Sequence, residues 1–301
     1  MSYLKGKLSG LLQKPNHIGP NILLTDTCNQ SCKYCFAQAI MKATPMKFMS
    51  LANFQIIIDE LRQINTKTIR LLGGEPTLHP QFEQIITLAS THFDNILLFT
   101  NGLYSKNVAS ILKKNSKKIL LNINIDTPAF ESDSLKRKAI LNEIDTFSLI
   151  STVIISFTLN DLSNSYQQLL GYFTERQLAR IHGSFSIAKK EITETPYFRR
   201  KNYKALGNHI LDIATFLHQK KLRSIVVDCG LQPAMFDKQD LETLKKLVDI
   251  KGWGCKGKWG LYDINTNLDV FPCFPKSQSI ITRQRYKHLA AVTIPNTRPC
   301  V

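Results

Sequence analysis

The sequence predicts an α/β protein in which strands and helices alternate and curl into most of a (β/α) barrel. The first observation is size, because 301 residues with 43% hydrophobic side chains are enough to bury a large core. The second is a series of six apolar runs with strand character, and the third is the helical periodicity that follows each run. This alternation favours right-handed crossovers and a parallel sheet, with a doubly wound open sheet as the alternative to a barrel.

The six predicted strands each open a β-then-α unit. They cover Ile22 to Thr25, Thr68 to Leu72, Asn95 to Phe99, Ile119 to Ile125, Thr152 to Phe157 and Arg180 to Ile187. Between them, apolar residues recur at positions i, i+3, i+4 and i+7, which is the pattern of a helix with one buried face. The clearest sets are Phe54, Ile57, Ile58 and Leu61; Phe82, Ile85, Ile86 and Ala89; Tyr166, Leu169, Leu170 and Phe173; and, in a last helix, Leu206, Ile210, Ile213 and Leu217.

The character of the chain changes after Leu222. We therefore predict a barrel over residues 1–222 and a small C-terminal subdomain over residues 223–301. The predicted elements of this subdomain are a strand from Ser224 to Val227, a helix from Leu241 to Val248, and a hairpin from Trp259 to Phe271 with its turn at Asn265, Thr266 and Asn267.

The chain carries 39 Lys and Arg against 23 Asp and Glu, a formal net charge of +16, which favours anionic partners. Its basic clusters fall in different predicted elements without a nucleic-acid-binding module, so a solvated surface explains them better. No apolar segment has the length of a membrane span or the form of a signal peptide. We therefore expect a cytoplasmic protein without a membrane partner, whose seven cysteines are not a disulfide framework and, where they cluster at short spacing, are metal ligands or nucleophiles.

The strongest local signal is the C-x3-C-x2-C spacing of Cys28, Cys32 and Cys35, directly after the first strand. Three thiolates in one short loop suit a [4Fe-4S] cluster, whose irons are held by cysteine sulfur. One iron then has no protein ligand and can bind an external chelating molecule. Structural zinc is the alternative, but such sites use four protein ligands, and no fourth Cys or His lies in this loop.

Four groups of residues at successive strand ends resemble the motifs of the radical S-adenosylmethionine (radical SAM) enzymes. They are Cys28, Cys32 and Cys35 with Tyr34; Gly73, Gly74, Glu75 and Pro76; Thr100 and Asn101; and Asn124 and Asp126. The resemblance covers roughly residues 20 to 187 and implies a partial (β/α)6 TIM-like barrel. In a parallel barrel the functional residues come from the C-terminal ends of the strands, and all four groups occupy that level. Similar enzymes often have serine at the position of Asn124.

The resemblance implies that the cysteines hold a [4Fe-4S] cluster and that the other groups bind S-adenosylmethionine. Gly73, Gly74 and Glu75 would hold the methionyl ammonium, Asn124 would contact the ribose, and Tyr34 would pack near the adenine, with a core tyrosine as the alternative. An external electron donor, similar to flavodoxin or ferredoxin, would reduce the cluster. Homolysis of the sulfonium bond would then give methionine and a 5′-deoxyadenosyl radical that abstracts hydrogen from the substrate. No residue is singled out as a catalytic acid or base.

The C-terminal region contributes four more cysteines, Cys229, Cys255, Cys273 and Cys300. Cys255 and Cys273 flank the predicted hairpin, whose antiparallel strands bring the two thiols towards one end. This segment resembles the start of the auxiliary-cluster domains called SPASM and twitch, although Leu268 stands where those domains usually carry glycine. The prediction is a second iron–sulfur cluster with Cys229 as third ligand and Cys300 as a candidate fourth. Structural zinc, or buried thiols without metal, are the alternatives.

Taken together, these features predict a radical enzyme that acts on a ribosomally made peptide or a related small molecule. The N-terminal lead is too short for the leader-recognition domain that peptide-modifying relatives often carry. This either weakens the peptide assignment or requires a separate recognition protein. Radical modification of RNA is an alternative that only the positive charge supports. A non-catalytic iron–sulfur redox protein is another, which the Gly-Gly-Glu motif argues against because an electron carrier needs no nucleotide pocket.

Overall fold

The structure, a computed structural model, describes residues 18–35, 47–160, 162–163, 166, 169–172, 181–187, 200–219, 225–227, 231–250, 263–271 and 284–285. All six predicted barrel strands are present, although the first begins four residues before its prediction and ends two residues earlier. The strands are β1 (Ile18–Leu23), β2 (Thr68–Leu72), β3 (Asn95–Thr100), β4 (Ile119–Ile125), β5 (Thr152–Leu159), β6 (Ile181–Ile187), β7 (Ile225–Val227), β8 (Asp249–Ile250), β9 (Asp263–Ile264), β10 (Asp269–Phe271) and β11 (Gln284–Arg285).

Helices separate most of these strands, as the apolar periodicity predicts. The α-helices are α1 (Leu51–Gln63), α2 (Phe82–His92), α3 (Lys106–Lys114), α4 (Thr127–Ser132), α5 (Ser134–Ser148), α6 (Tyr203–Gln219) and α7 (Lys238–Leu247). Short 3-10 helices occupy Pro76–Leu78, Arg200–Asn202 and Pro233–Met235. Of the predicted apolar sets, all described members are buried, and Phe173 lies outside the described residues.

The strands form one sheet in the order β11-β10-β9-β1-β2-β3-β4-β5-β6-β7-β8. From β1 to β8 each strand pairs in parallel with the next strand along the chain. A doubly wound sheet would reverse its strand order at a switch point, so that alternative is wrong. Among the described residues the two edge strands of the sheet, β11 and β8, do not pair with each other. The fold is therefore an open, partial barrel, as predicted.

The sheet has one face packed against helices and one inner face. Along β4, Ile119, Leu121, Ile123 and Ile125 are buried in the main hydrophobic core. Successive side chains of a strand point to opposite faces, so the polar residues between them, such as Asn122, lie on the inner face. Burying each large aliphatic side chain stabilises the fold by about 1.5–3 kcal/mol, which fixes the register of the strand. Polar groups are thereby left facing the interior of the barrel.

Two helices begin where a serine caps them, on the side of the sheet at which the strands end. Ser50 Oγ accepts a hydrogen bond from Asn53 N at 3.1 Å, and Ser105 Oγ accepts one from Val108 N at 3.3 Å. Each cap satisfies a backbone N–H that the first turn of a helix leaves without a partner, a contribution of about 1 kcal/mol. The caps therefore fix where α1 and α3 start relative to the strand ends.

The predicted C-terminal hairpin is present in a shorter form, with β9 and β10 antiparallel. Asn265 Oδ1 accepts hydrogen bonds from the backbone of Asn267 and Asp269, and Leu268 has a φ of 64°. This is a left-handed conformation that glycine adopts more readily, so the departure noted at Leu268 is also a conformational cost.

The hairpin joins the barrel sheet, because β9 pairs in parallel with β1. Asn21 Nδ2 donates to Asp263 Oδ1 at 2.5 Å, and Asn53 Nδ2 donates to Thr266 O at 3.0 Å. The predicted strand and helix after Leu222 appear as β7 and α7. The division into two domains at that residue remains a prediction, and the sheet itself runs across it.

None of the described helices combines the length and the apolar character that a membrane span requires.

Candidate functional site

The predicted site residues meet at the edge of the sheet where the parallel strands end. The segment Cys28 to Cys35, here called the cysteine loop, follows β1. Gly73 to Glu75 follow β2, while Thr100 and Asn101 lie at the end of β3, and Asn124 and Asp126 at the end of β4. The structure therefore brings the four groups to one edge, as predicted.

The cysteine loop is a compact turn whose three thiols are partly buried. Cys35 N donates to Cys32 O at 3.0 Å. Gln30 N donates to Cys28 Sγ, and Cys32 Sγ donates to Gln30 Oε1, each at 3.4 Å. Gln30 thus orders two of the cysteines, a role that spacing alone did not indicate.

The electrostatics of the loop suit a positively charged metal group. Burial raises the pKa of the Cys28 and Cys32 thiols, and the nearby carboxylates of Glu75 and Asp126, respectively, raise it further. Without a cation the thiols therefore hold their protons. A metal group that binds all three would stabilise the thiolates and release those protons.

A [4Fe-4S] cluster fits this donor set. No three His, Cys, Asp or Glu side chains in the described part of the chain are arranged to hold a single metal ion. An iron–sulfur cube does not need that arrangement, because each cysteine binds a different iron. Cys28, Cys32 and Cys35 would hold three irons and leave the fourth to an external ligand.

Gly73 and Gly74 allow two stretches of backbone to lie in contact. A Cβ atom would lie 2.6 Å from Thr25 O if placed on Gly73 and 2.3 Å from Thr27 O if placed on Gly74. Gly74 N donates to Thr25 O at 2.8 Å, and Glu75 N donates to Thr27 O at 2.7 Å. Both glycines therefore pack closely against the segment leading into Cys28. Their contact with the methionyl ammonium stays a prediction.

Glu75 is buried, and its carboxylate joins the ends of β2 and β3. Oε1 accepts hydrogen bonds from Thr77 N at 3.2 Å, Thr77 Oγ1 at 2.6 Å and Thr100 Oγ1 at 2.8 Å. Oε2 accepts one from Asn101 N at 2.8 Å. Burial raises the pKa of Glu75, and these hydrogen bonds act in the opposite direction. The carboxylate accepts hydrogen bonds from four donors of its own chain. It therefore holds the ends of β2 and β3 together whether or not a further ligand binds.

Asn101 connects the end of β3 to the cysteine loop. Its Nδ2 donates to Asn29 Oδ1 at 2.7 Å and lies 4.0 Å from Cys28 Sγ. Asn29 Nδ2 in turn donates to Leu103 O at 2.8 Å. Asn29 and Thr77 were not predicted as site residues; the hint for Asn29 was its position inside the cysteine motif.

Tyr34 and Asp126 connect the same loop to the end of β4. Tyr34 OH donates to Ile125 O at 3.5 Å, and the side chain packs against the main core. Burial raises the pKa of Tyr34, with further contributions from Cys32 and Asp126. Burial also raises the pKa of Asp126, while a hydrogen bond from the Cys32 thiol lowers it. Tyr34 therefore has the contacts of a core tyrosine as well as its place beside the cysteines.

Polar side chains line the inner face next to the strand ends. Ser156 Oγ donates to Asn122 Oδ1 at 2.6 Å and lies 3.4 Å from Asn124 Oδ1. The buried hydroxyls of Thr27 and Thr127 have no hydrogen-bond partner among the described residues. Buried polar groups ordinarily have partners, so these hydroxyls fit a site that receives a polar ligand.

The four C-terminal cysteines, Cys229, Cys255, Cys273 and Cys300, lie outside the described residues. The ligand set of the predicted second cluster therefore remains a prediction.

The sheet is open and parallel, with a three-cysteine loop after its first strand and Gly-Gly-Glu after its second. This arrangement has the form of a radical SAM domain. Residues 22–148 match the model of the radical SAM superfamily. The motifs of this part of the chain predict this match.

Two curated relatives show similarity to parts of the chain. A GTP 3′,8-cyclase of Desulforamulus reducens is 36% identical over 96 residues, which are 31% of this chain and 30% of that protein. The sporulation killing factor maturation protein SkfB of Bacillus subtilis is 28% identical over 168 residues, 50% of this chain and 40% of that protein. The chain thus spans less than half the length of these relatives.

Among solved structures, Streptococcus suis SuiB has a similar fold. SuiB bound to S-adenosylmethionine superposes with a TM-score of 0.68 and 16% identity, over 94% of this chain and 65% of that chain. SuiB bound to the precursor peptide SuiA gives a TM-score of 0.67 at 15% identity, over 94% of this chain and 64% of that chain. At this level of identity the likeness establishes the fold.

Proposed function

We propose that this protein is a radical SAM enzyme that cleaves S-adenosylmethionine reductively and abstracts hydrogen from a peptide. The observation that carries the proposal is the cysteine loop, which carries three partly buried thiols and is held by residues at the ends of β2, β3 and β4. When bound, the cluster and S-adenosylmethionine supply the electron transfer and the 5′-deoxyadenosyl radical. A flavodoxin- or ferredoxin-like protein is the proposed electron donor.

The residues of the chain hold and shield this chemistry. Cys28, Cys32 and Cys35 would bind the cluster, and Glu75 fixes the segment that carries them through Thr27. Tyr34, Asn124 and Asp126 lie at the strand ends where the nucleoside of S-adenosylmethionine is proposed to bind. The inner face of β4 and β5, with Asn122 and Ser156, would receive part of the substrate.

Similarity to SkfB and to SuiB, which was solved with its precursor peptide, supports a ribosomally made peptide as substrate. Similarity to a GTP 3′,8-cyclase supports the second candidate, a small-molecule substrate. We further propose that residues 223–301 form a reduced twitch-like subdomain with a second iron–sulfur cluster bound by Cys229, Cys255, Cys273 and Cys300.

The test begins with anaerobically reconstituted protein, iron analysis and an assay for 5′-deoxyadenosine formed under reducing conditions. Changing Cys28, Cys32 and Cys35 together to Ala should abolish the product, while Ser31→Ala in the same loop should retain it. Cleavage that continues at the wild-type rate in the triple variant would contradict the proposal. Iron that remains in the triple variant, about four atoms per chain, and is lost on further changing Cys255 and Cys273 would support the second cluster.

The substrate class is tested by incubating active protein with short peptides encoded beside its gene and with nucleotides. A mass change in a peptide that depends on S-adenosylmethionine would support the peptide assignment. Modification of nucleotides alone would favour the small-molecule candidate.

A further inference from the structure

The sulfur of Cys28 has a different environment from that of Cys32. Two nitrogens face it, Gln30 N at 3.4 Å and Asn101 Nδ2 at 4.0 Å. Cys32 Sγ instead faces two acceptors, Gln30 Oε1 at 3.4 Å and the carboxylate of Asp126. Negative charge on the Cys28 sulfur is therefore stabilised from two sides.

The side-chain amide of Asn101 is held in place by its other contacts. Its Oδ1 accepts from Leu103 N at 2.9 Å, and its Nδ2 donates to Asn29 Oδ1 at 2.7 Å. Asn29 is fixed in turn by its hydrogen bond to Leu103 O. The backbone nitrogen of Asn101 is held by Glu75 Oε2. With its acceptor atom and its backbone both occupied, the amide keeps an N–H directed to the cysteine loop.

We propose that Asn101 is a positioning residue for Cys28, whose side-chain N–H donates to the ligand sulfur and raises the reduction potential of the cluster. This inference rests on the proposed function, because it requires the cluster to be present. A reduced cluster carries one more negative charge than the oxidised cluster. Hydrogen bonds to its sulfur ligands stabilise the reduced form more strongly, which is one of the ways a protein sets the potential.

The test is an anaerobic redox titration of the reconstituted protein, followed by the electron paramagnetic resonance signal of the reduced first cluster. That signal is identified by its loss in the Cys28, Cys32 and Cys35 triple variant. In the variant Asn101→Leu, the leucine side chain has a shape similar to that of asparagine but cannot donate a hydrogen bond to sulfur. We expect it to shift the ratio of reduced to oxidised cluster about tenfold towards the oxidised form at a given potential, equivalent to 59 mV for a one-electron couple.

Two further variants separate the hydrogen bond from general effects. Asn101→Asp keeps the acceptor for Leu103 N but cannot donate to sulfur, so it should lower the potential at least as much as Asn101→Leu, and it provides the measurement if the leucine variant loads no iron. Asn29→Asp adds the same charge beside Cys28 and leaves the donor of Asn101 in place, so it should lower the potential less than Asn101→Asp.

An unchanged potential in Asn101→Leu, or equal shifts in Asn101→Asp and Asn29→Asp, would overturn the inference. If the wild-type protein cleaves S-adenosylmethionine while either result is obtained, only this inference fails. If the wild-type protein binds no iron, the proposed function fails with it.

Discussion

Asn101 N lies 2.8 Å from Glu75 Oε2, so one buried carboxylate joins the ends of β2 and β3. The backbone nitrogen of the same Glu75 donates to Thr27 O, next to Cys28. Glu75, which the family resemblance assigns to cofactor binding, therefore also links the cysteine loop to the ends of β2 and β3. This dual position determines what a substitution there should do.

Glu75→Gln should reduce stability and iron content together. In glutamine, an NH2 group that cannot accept a hydrogen bond replaces one carboxylate oxygen. This NH2 group would face either Asn101 N or the donors of Thr77 and Thr100. Leaving such a buried group unpaired costs about 1–3 kcal/mol. Urea unfolding of the metal-free protein measures this loss, and Glu83→Gln, an exposed residue of α2, should change stability by about 0.5 kcal/mol or less. Equal stabilities of the two variants would contradict the bridging role.

Gly74→Ala should displace the cysteine loop. The added Cβ would lie 2.3 Å from Thr27 O, so one of the two backbone segments must move, at a cost of about 1–3 kcal/mol. We expect lower thermal stability and less iron retained after reconstitution. Gly171→Ala is the matched control, because its Cβ would meet no atom of a described residue within 4 Å. If Gly74→Ala retained as much iron as Gly171→Ala, the contact would not be needed to position the loop.

His79 should make stability fall as the pH is lowered below about 6.5. Its Nδ1 accepts from Gln81 N at 3.0 Å, so Nε2 carries the proton and donates to Met49 O at 2.8 Å. Burial lowers the pKa of His79 from 6.5. As the pH falls from that value towards the lower pKa of the folded state, only the unfolded chain takes up the proton, so the free energy of unfolding decreases.

Urea unfolding at several pH values between 7.5 and 5 tests this for the wild-type protein and His79→Gln. The variant should be less stable at pH 7.5, and the difference between the two proteins should shrink as the pH falls. A difference that stays constant over this range would show that His79 does not contribute to the pH dependence.

Asn21→Ala should loosen the contact between the C-terminal hairpin and the barrel. The substitution removes the 2.5 Å hydrogen bond to the buried carboxylate of Asp263, a charge-assisted bond of about 1.5–3 kcal/mol. Hydrogen exchange of residues 263–271 should increase relative to that of β4. Asn53→Ala, which removes a neutral hydrogen bond to Thr266 O, should have a smaller effect. Unchanged exchange in Asn21→Ala would show that the hydrogen bond to Asp263 does not hold the hairpin in place.

The periodicity of the sequence predicted most of the barrel. Sets such as Phe54, Ile57, Ile58 and Leu61 mark a buried helix face, and all four are buried in the structure. Periodicity is local, because the side chains of one helix or strand share a face according to their spacing alone. The end of β1 was less well predicted, because its pairing with both β2 and β9 decides where it stops.

By itself the sequence determined that three thiols lie in one loop, that this loop follows a strand, and that Gly-Gly-Glu follows the next strand. The tertiary structure decided what these residues contact. Gly73 and Gly74 meet the backbone before Cys28, Glu75 binds the end of β3, and Asn101 reaches Asn29 across 72 positions of the chain. Motif spacing depends only on neighbours in the chain. The contacts depend on how the parallel strands bring distant loops to one edge, so they are decided only when the sheet forms.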